Sequence, residues 1–580
     1  MISKKRWLTS VVAAAMAMGT LASCGTYSDG TTLSDSSETA STSASETSGE
    51  SSEAASSGGD TFTIVATQPN TLNMIQSQSN LDNYCFYLTQ EMLFRPYDGV
   101  YEAEVVDTWE VDETGTVYTY HLKETNWSDG TPITADDFAY YLLAQLDPNM
   151  GSANASTLIT TYGFVNAEAY YNGECDVSEV GIKALDDYTL QLTLEEPKAD
   201  FDGTNIRVYP LDADFVAEQG EALGGTPENY MCSGPYVLTD WTYGSSLTYE
   251  KNDEWLYADE QFLVETVTML EATDMNTSVS MFESGEVDAV LTVDDDYLDI
   301  IPEENLQYYV FNALKAVQFN TLGQGDTEKA ALLSNDNFRY ALSYALNREA
   351  IVSAVSPTDT PVNRYLFAPM TGNSPETLFE DDYAVESVPL AGDAEQAQAY
   401  LQAALDELGY ASADELPDLT YLTFENDNYR LMAETLVDQW NQVLGLDNIT
   451  IELKPIPDAI QSMMSYQYDL YYTSLGMGDV PSSFFNMWIT GGSVNDVAAN
   501  GSNIFVNEEF DSLVDEAQST TDREARMALY AQAEQIMIDD APLIPISTSG
   551  NYSAVASYVD GFMYNSNDNA IELNYLTVNK

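Results

Sequence analysis

Short stretches in which apolar and polar positions alternate mark the first predicted strands of the chain. Residues 61–66 open with such a run, and Tyr118, Tyr120 and Leu122 alternate with polar positions further on. Side chains two residues apart lie on the same face of a β-strand. The second run therefore predicts a strand with one buried face, and the turn-forming residues 112–115 before it predict a hairpin.

Other stretches repeat their apolar positions at helical spacing. Phe138, Leu142 and Leu146 recur every four residues, after Thr134 and before Pro148. A threonine followed three residues later by an acidic residue is typical of a helix start, and the residue before a proline disfavours helix. This spacing predicts one helix that is bounded at both ends.

Strands and helices mix along the chain without a strict repeat. Further helical patterns run over about 393–409 and 521–537, with strand-like runs such as 449–453 and 468–474 between them. Such a mixture indicates an α/β protein with more than one lobe. The length of 580 residues agrees, because a chain of this size folds as roughly two to four domains.

The N-terminus has the features of a bacterial export signal. Basic residues 4–6 precede an apolar stretch over 7–22, which is short for a membrane-spanning helix. The stretch ends in Leu-Ala-Ser-Cys, the sequence of a lipobox, with Cys24 as the residue to be lipidated. Residues 1–23 are therefore predicted to be a signal peptide that is removed. The alternative is an ordinary signal peptide that happens to contain a cysteine.

A polar segment separates the predicted anchor from the folded part. Residues 24–60 are Ser, Thr, Gly, Ala and Glu with almost no large apolar residue, so they predict a disordered tether. No later run reaches the roughly 18 apolar residues of a transmembrane helix. Contact with the membrane is expected through the lipid on Cys24 only, at the extracellular face of the bacterial cytoplasmic membrane.

The charge excludes some partners. The chain carries 94 acidic and 19 basic residues, a formal net charge of −75. Binding to nucleic acid or to anionic lipid heads requires clustered Lys and Arg, so neither partner is expected.

Histidine and paired cysteines, on which many catalytic and metal sites depend, are scarce. His121 is the single histidine and is predicted to be a sheet residue, and no Cys-x-x-Cys pair or phosphate-binding glycine loop occurs. We expect no enzyme activity, no metal and no cofactor. Cys175 and Cys232 could form one disulfide and leave Cys85 free, although the sequence leaves the connectivity open.

Several ordered blocks of sequence resemble one known family. The chain resembles the peptide/oligopeptide-type solute-binding proteins of ABC importers from about residue 61 to 580. The blocks that carry the resemblance are residues 93–98, 106–111, 118–123, 127–138, 180–190, 234–238, 338–351 and 541–546.

The resemblance implies a two-lobed, periplasmic-binding-protein-like α/β fold with an extra subdomain inserted in the first lobe. Lobe I would comprise residues 61–315 plus 546–580, with the extra subdomain at about 85–195, and lobe II would comprise residues 316–545. A ligand would bind between the lobes, which close by a hinge motion. The closed receptor, expected to be a monomer, would then dock on the permease.

The resemblance also implies where the ligand binds. In peptide-binding relatives an Asp in a block of the second lobe receives the α-amine of the peptide, and the matching position here is Asp479. Residues 475–481 depart from the family pattern, because Met477 stands where Trp is common and Ser482-Ser483 replaces an Asp-Pro pair. The other candidate ligand contacts are Gly476, Ser233 and Tyr84, together with Met477 and Trp488, which could supply apolar walls or pack in the core. A peptide carboxylate would need a cation, and Arg364 is a possible partner because basic residues are so few.

Two alternatives to an oligopeptide receptor remain open at this point. The same architecture could bind an oligosaccharide, because the 39 Tyr and 7 Trp residues suit stacking on sugar rings. A cell-surface enzyme or an adhesin would also fit an exported, anchored protein, and an enzyme should show paired carboxylates or a histidine in a cleft.

Overall fold

The computed structural model describes residues 61–580 except 78–79, 98–99, 153, 202, 259–263, 273, 375–376, 479, 498–501, 566–569 and 574–575. The predicted signal peptide, Cys24, the tether and Asp479 lie outside the described residues.

The strands and helices follow one another in mixed order along the chain. The strands are β1 (Thr61–Val65), β2 (Phe94–Tyr97), β3 (Val100–Ala103), β4 (Val106–Val111), β5 (Val117–Leu122), β6 (Thr125–Asn126), β7 (Pro132–Ile133), β8 (Ile182–Asp186), β9 (Thr189–Thr193), β10 (Tyr236–Thr242), β11 (Ser246–Lys251), β12 (Thr266–Leu270), β13 (Ala289–Val293), β14 (Leu306–Phe319), β15 (Thr360–Pro361), β16 (Leu419–Phe424), β17 (Ile449–Lys454), β18 (Leu470–Gly476), β19 (Asp496–Val497), β20 (Ser502–Asn503), β21 (Leu543–Val555), β22 (Val559–Asp560), β23 (Met563–Asn565), β24 (Ala570–Glu572) and β25 (Thr577–Val578). The α-helices are α1 (Asn80–Thr89), α2 (Ala135–Leu146), α3 (Ala167–Tyr171), α4 (Ala213–Gln219), α5 (Met275–Ser284), α6 (Thr327–Leu333), α7 (Asp336–Tyr344), α8 (Arg348–Val355), α9 (Phe379–Asp382), α10 (Ala394–Leu408), α11 (Asp427–Leu444), α12 (Ile456–Met464), α13 (Pro481–Phe485), α14 (Glu508–Ser519) and α15 (Arg523–Asp540).

One large sheet runs through the molecule in the order β10-β11-β12-β1-β13-β21-β14-β18-β16-β17, and β15 pairs with β21. The long strands β14 and β21 lie in its middle and pair antiparallel from Leu306 opposite Ala554 to Gln318 opposite Leu543. A strand of 14 residues spans about 45 Å, which is long enough to run from one lobe to the other. The register between the two strands shifts between Phe311 and Leu314. From Ala313 onward β14 also pairs with β18, whereas at the other end β21 pairs with β13.

The hydrophobic cores divide on either side of this shift. One core contains residues from 62–291 together with 555–578, whereas two others contain residues from 314–546. On β14, Val317 belongs to one of these later cores and Ala316 to the other, as expected for side chains on opposite faces of a strand. The fold is therefore two-lobed α/β, and β14 and β21 are the strands shared by both lobes.

A separate four-stranded sheet, in the order β4-β5-β9-β8, lies in the first lobe. On β5, Tyr118, Tyr120 and Leu122 are buried and His121 is exposed, which confirms the predicted alternation. The predicted helix is also confirmed as α2, whose start has the capping box of Thr134 with Asp137.

The exact lobe boundaries stay a prediction. The boundaries predicted at 315–316 and 545–546 fall within β14 and β21, the two shared strands. Among the residues that the structure describes, no helix is long and apolar enough to cross a membrane.

Candidate functional site

The strand β14 is bonded to the predicted ligand-binding segment at the point where it passes between the lobes. Ala313 pairs with Gly476 at the end of β18. The backbone N–H of Met477 donates to the carbonyl oxygen of Asn312 at 2.9 Å, and Asn312 Nδ2 donates to the carbonyl oxygen of Gly478 at 3.0 Å. The structure therefore places Gly476 and Met477 beside the junction of the lobes.

The loop that follows is held by its own serine. Gly478 donates its backbone N–H to Ser483 Oγ at 3.0 Å, and Ser483 Oγ donates to the carbonyl oxygen of Val480 at 2.5 Å. Ser483 is one of the two serines that replace the Asp-Pro pair of the family pattern. Here its hydroxyl bonds to both Gly478 and Val480.

The sequence pattern did not identify Asn312 as a candidate site residue. This residue is 3% exposed, and its Oδ1 is buried without a hydrogen-bond partner among the described residues. Leaving a buried acceptor unpaired costs about 1–3 kcal/mol, so such an atom calls for a water or a ligand as its partner. A polar residue in the middle of a largely apolar crossing strand is the sequence feature that could have identified it.

A group of tyrosines lies on the first-lobe side of the junction. The rings of Tyr309 on β14 and Tyr564 on β23 are 3.9 Å apart between centroids. Burial and the nearby phenol of Tyr309 raise the pKa of Tyr84, so this phenol stays protonated. The structure thus brings the predicted Tyr84, on α1, close to β14.

A cavity of about 170 Å³ lies beside these rings. It is lined by Gln307, Tyr308, Tyr309, Ser553, Phe562, Met563, Tyr564 and Glu572. Its walls come from β14, β21 and the hairpin of β23 and β24, so it borders the strands that both lobes share.

Ser233 is placed differently from the prediction. Its side chain is fully buried, and its Oγ accepts from the backbone N–H of Glu91 at 2.9 Å and donates to Gln90 Oε1 at 3.1 Å. A Cβ on the neighbouring Gly234 would lie 2.5 Å from the backbone N of Gln90. This block therefore packs two segments of the first lobe together, which argues against the predicted contact of Ser233 with the ligand.

Trp488 and Met477 also serve packing. Trp488 is fully buried and lies in one core of the second lobe, 6.4 Å from Phe484 between ring centroids. Met477 belongs to the same core and is 6% exposed. Both side chains therefore pack in this core, the alternative that the sequence left open, and their role as apolar walls of the site stays a prediction.

Arg364 is already paired with an internal carboxylate. Its Nε and Nη2 donate to the two carboxylate oxygens of Glu534 at 3.2 and 2.6 Å, and its Nη1 donates to the carbonyl oxygen of Tyr383. With 8% of the residue exposed, the guanidinium is held inside the second lobe. This internal pairing argues against its predicted role as the partner of a peptide carboxylate.

A buried group of charged side chains in the first lobe includes Arg95, which lies 3.8 Å from the cavity residue Glu572. Arg95 Nε donates to Glu104 Oε1 at 3.0 Å, and Thr125 Oγ1 donates to Glu91 Oε1 at 2.8 Å. Burial and the neighbouring Glu104 carboxylate raise the pKa of Glu91 to about 8. The folded protein therefore holds a proton on Glu91 that the unfolded chain releases above its ordinary pKa of 4.5.

This proton predicts a pH dependence of stability. Because the folded state binds more protons, the contribution of Glu91 to the free energy of unfolding falls as the pH rises from about 4.5 to 8. The neutral Glu91→Gln variant should lack this fall and gain stability relative to the parent between pH 5 and 8, as measured by urea denaturation. Glu110→Gln, at an exposed position of β4, serves as control. A constant difference between Glu91→Gln and the parent at all pH values would contradict the prediction.

The side chains around the junction of the lobes suit the binding of a ligand. Among the described residues, no group of three or more His, Cys, Asp or Glu side chains could hold a metal ion. Cys85, Cys175 and Cys232 are free thiols in this structure. The junction of the lobes contains the buried amide oxygen of Asn312, and a cavity lined by tyrosines lies on its first-lobe side.

Comparisons with known proteins agree with this architecture. Residues 101–496 match the model of the family described as bacterial extracellular solute-binding proteins, family 5 Middle. The chain is 28% identical to the oligopeptide-binding protein OppA of Bacillus subtilis over 77% of this chain and 80% of that protein. It is 29% identical to the probable deoxycholate-binding periplasmic protein YgiS of Escherichia coli, over 82% of this chain and 85% of that protein.

A solved structure supports the same fold. The Listeria monocytogenes OppA bound to peptide superposes with a TM-score of 0.69 at 23% identity, covering 90% of this chain and all of that chain. The matched family comprises binding receptors and not enzymes. The chain therefore belongs to the bacterial extracellular solute-binding proteins of family 5, the oligopeptide-type solute-binding proteins of ABC importers.

Proposed function

We propose that this protein binds short peptides between its two lobes and delivers them to the permease of an ABC importer. The observation that carries the proposal is the bonding of Gly478 to Asn312, which joins the predicted amine-binding loop to the strand shared by both lobes. The similar Bacillus subtilis protein is named as an oligopeptide-binding protein. A lipid on Cys24 would hold the receptor at the outer face of the cytoplasmic membrane.

Direct binding measurements test the class of ligand. Calorimetry with oligoalanines of two to six residues should show binding in the micromolar range or tighter, because their recognition depends on the backbone and the termini alone. Maltooligosaccharides test the alternative of a sugar ligand. Deoxycholate is the third probe, since one relative is named for it. Binding of a sugar or of deoxycholate without any peptide would overturn the proposal.

Asn312 supplies a test of the proposed site. If its Oδ1 accepts a hydrogen bond from the ligand, Asn312→Ala should weaken pentaalanine binding roughly ten-fold, equivalent to about 1.4 kcal/mol. Asn448→Ala is the matched control, because Asn448 Oδ1 is likewise buried without a partner among the described residues and its Nδ2 donates to Pro417. Unchanged affinity in Asn312→Ala, or an equal loss in Asn448→Ala, would remove Asn312 from the site.

A further inference from the structure

A second connection joins the lobes away from the shared strands. It involves Asp200, in the loop that follows β9 of the first lobe, and helix α15 of the second lobe. Arg526 Nε lies 2.9 Å from Asp200 Oδ1, and Tyr530 Oη donates to Asp200 Oδ2 at 2.6 Å. Beside them, the backbone N–H of Ala199 donates to the carbonyl oxygen of Gln518 at 3.1 Å.

The Asp200 loop is anchored within the first lobe. Phe201 is 4% exposed and belongs to the core of that lobe. Its ring lies 4.7 Å from that of Tyr118 between centroids, and Asn205 Nδ2 donates to the carbonyl oxygen of Asp200 at 2.7 Å. First-lobe contacts therefore hold the backbone that carries the Asp200 carboxylate.

Its partners are anchored independently within the second lobe. Arg526 Nη1 donates to the carbonyl oxygen of Thr520 at 2.9 Å. The Tyr530 ring is fully buried and lies 5.8 Å from Phe485 between centroids. Burial and the Asp200 carboxylate raise the pKa of Tyr530, so its hydroxyl keeps the proton that it donates. Each half of the contact is thus also held by contacts within its own lobe.

The contact is well shielded from water. The Asp200 side chain is 13% exposed and that of Arg526 is 7% exposed. Ion pairs and charge-assisted hydrogen bonds gain strength when water is excluded. The ion pair of Asp200 with Arg526 and the hydrogen bond from Tyr530 exist only while the two lobes are in contact. Separation of the lobes would leave the Asp200 carboxylate on one body and both the Arg526 guanidinium and the Tyr530 hydroxyl on the other.

We propose that Asp200, Arg526 and Tyr530 form a latch that favours the closed arrangement of the lobes and thereby prolongs ligand retention. The effect on retention rests on the proposed function, whereas the effect on closure does not. In this role the three residues are positioning residues, since they act on the ligand through the relative placement of the lobes.

The closed fraction can be measured without any ligand. Single-molecule energy transfer between dyes at Leu185 of the first lobe and Val506 of the second, which are 53% and 63% exposed, reports opening. Azide-bearing residues at these positions avoid the native thiols. Tyr530→Phe keeps the buried ring and removes one hydrogen bond to a charged group, so the ratio of closed to open protein should fall roughly ten-fold.

Tyr365→Phe is the matched control. The hydroxyl of Tyr365 is also buried, but it donates to the carbonyl oxygens of Met537 and Leu543 within the second lobe. This variant should lose stability without any change in the closed fraction. Asp200→Asn, which keeps the size of the side chain and removes its charge, should open the lobes as Tyr530→Phe does.

The outcomes separate the two proposals. If Tyr530→Phe and Asp200→Asn open the peptide-free protein while Tyr365→Phe does not, the latch stands. If, in addition, pentaalanine dissociates about ten-fold faster from both latch variants, its role in retention stands as well. An unchanged closed fraction in the two variants, or an equal change in Tyr365→Phe, overturns the latch. Opening of the lobes without any peptide binding leaves the latch in place and removes the proposed function.

Discussion

Replacing Glu534 with alanine is expected to lower the free energy of unfolding by about 3–5 kcal/mol, because it leaves a buried guanidinium without its counter-charge. The Glu534 side chain is fully buried in α15. Its carboxylate accepts two bonds from Arg364 and also the backbone N–H groups of Tyr365 and Leu366, at 2.9 and 2.7 Å. One side chain therefore satisfies four donors from the segment that follows β15.

Two further variants should lose less stability than Glu534→Ala. Glu534→Gln keeps the shape and one acceptor oxygen, so it should cost less than Glu534→Ala. Removal of the exposed ion pair by Arg430→Ala, whose partner Asp427 lies in the same helix, should change the free energy of unfolding by less than about 1 kcal/mol. Urea denaturation followed by circular dichroism measures all three. A cost in Glu534→Ala as small as that in Arg430→Ala would show that the buried pair contributes little.

Replacing Asp479 with asparagine is expected to weaken the binding of pentaalanine at least thirty-fold. Removing one partner of a buried, hydrogen-bonded charge pair costs about 2–5 kcal/mol, and 2 kcal/mol corresponds to about thirty-fold in Kd. The prediction rests on the family resemblance of the block 475–481 and on the bonds that hold Gly478 at the junction of the lobes.

An acetylated peptide turns this loss into a specific test of the amine. N-acetyl-pentaalanine lacks the ammonium group, so the parent should bind it weakly and Asp479→Asn should weaken it little further. Asp458→Asn removes the same charge from an exposed position of α12 and should leave both affinities unchanged. Calorimetry provides the four dissociation constants of the cycle. An equal loss for both peptides in Asp479→Asn would show that Asp479 does not receive the amine.

Local features of the fold were predictable because they depend on neighbouring residues. The alternation on β5 is set by side chains two residues apart, and the start of α2 by Thr134 and Asp137, three residues apart. The family blocks are also local, and they indicated the two-lobed class. Gly476 and Met477, at the end of β18 and directly after it, lie beside the junction of the lobes, and their contact with a ligand stays a prediction.

The errors concern partners that are distant in sequence. Arg364 suggested a ligand contact because cations are scarce in the chain, yet Glu534, 170 residues away, neutralises it. Ser233 bonds to residues 142 and 143 positions earlier. No pattern within either segment identifies such a partner among so many carboxylates and amides, because the pairing depends on which segments pack together.

The sequence by itself determined the class of the protein, the order of its elements and the segment most similar to the amine-binding block of relatives. Only the tertiary structure decided which polar side chains are hydrogen-bonded within one lobe and which lie at the junction of the lobes. Asn312 became a candidate when β14 was seen to pass between the lobes, and Asp200 when its partners were found on α15, 330 residues away for Tyr530. The physical reason is that periodicity reports burial along one element, whereas the pairing of buried charges is set by the packing of elements that are distant in the chain.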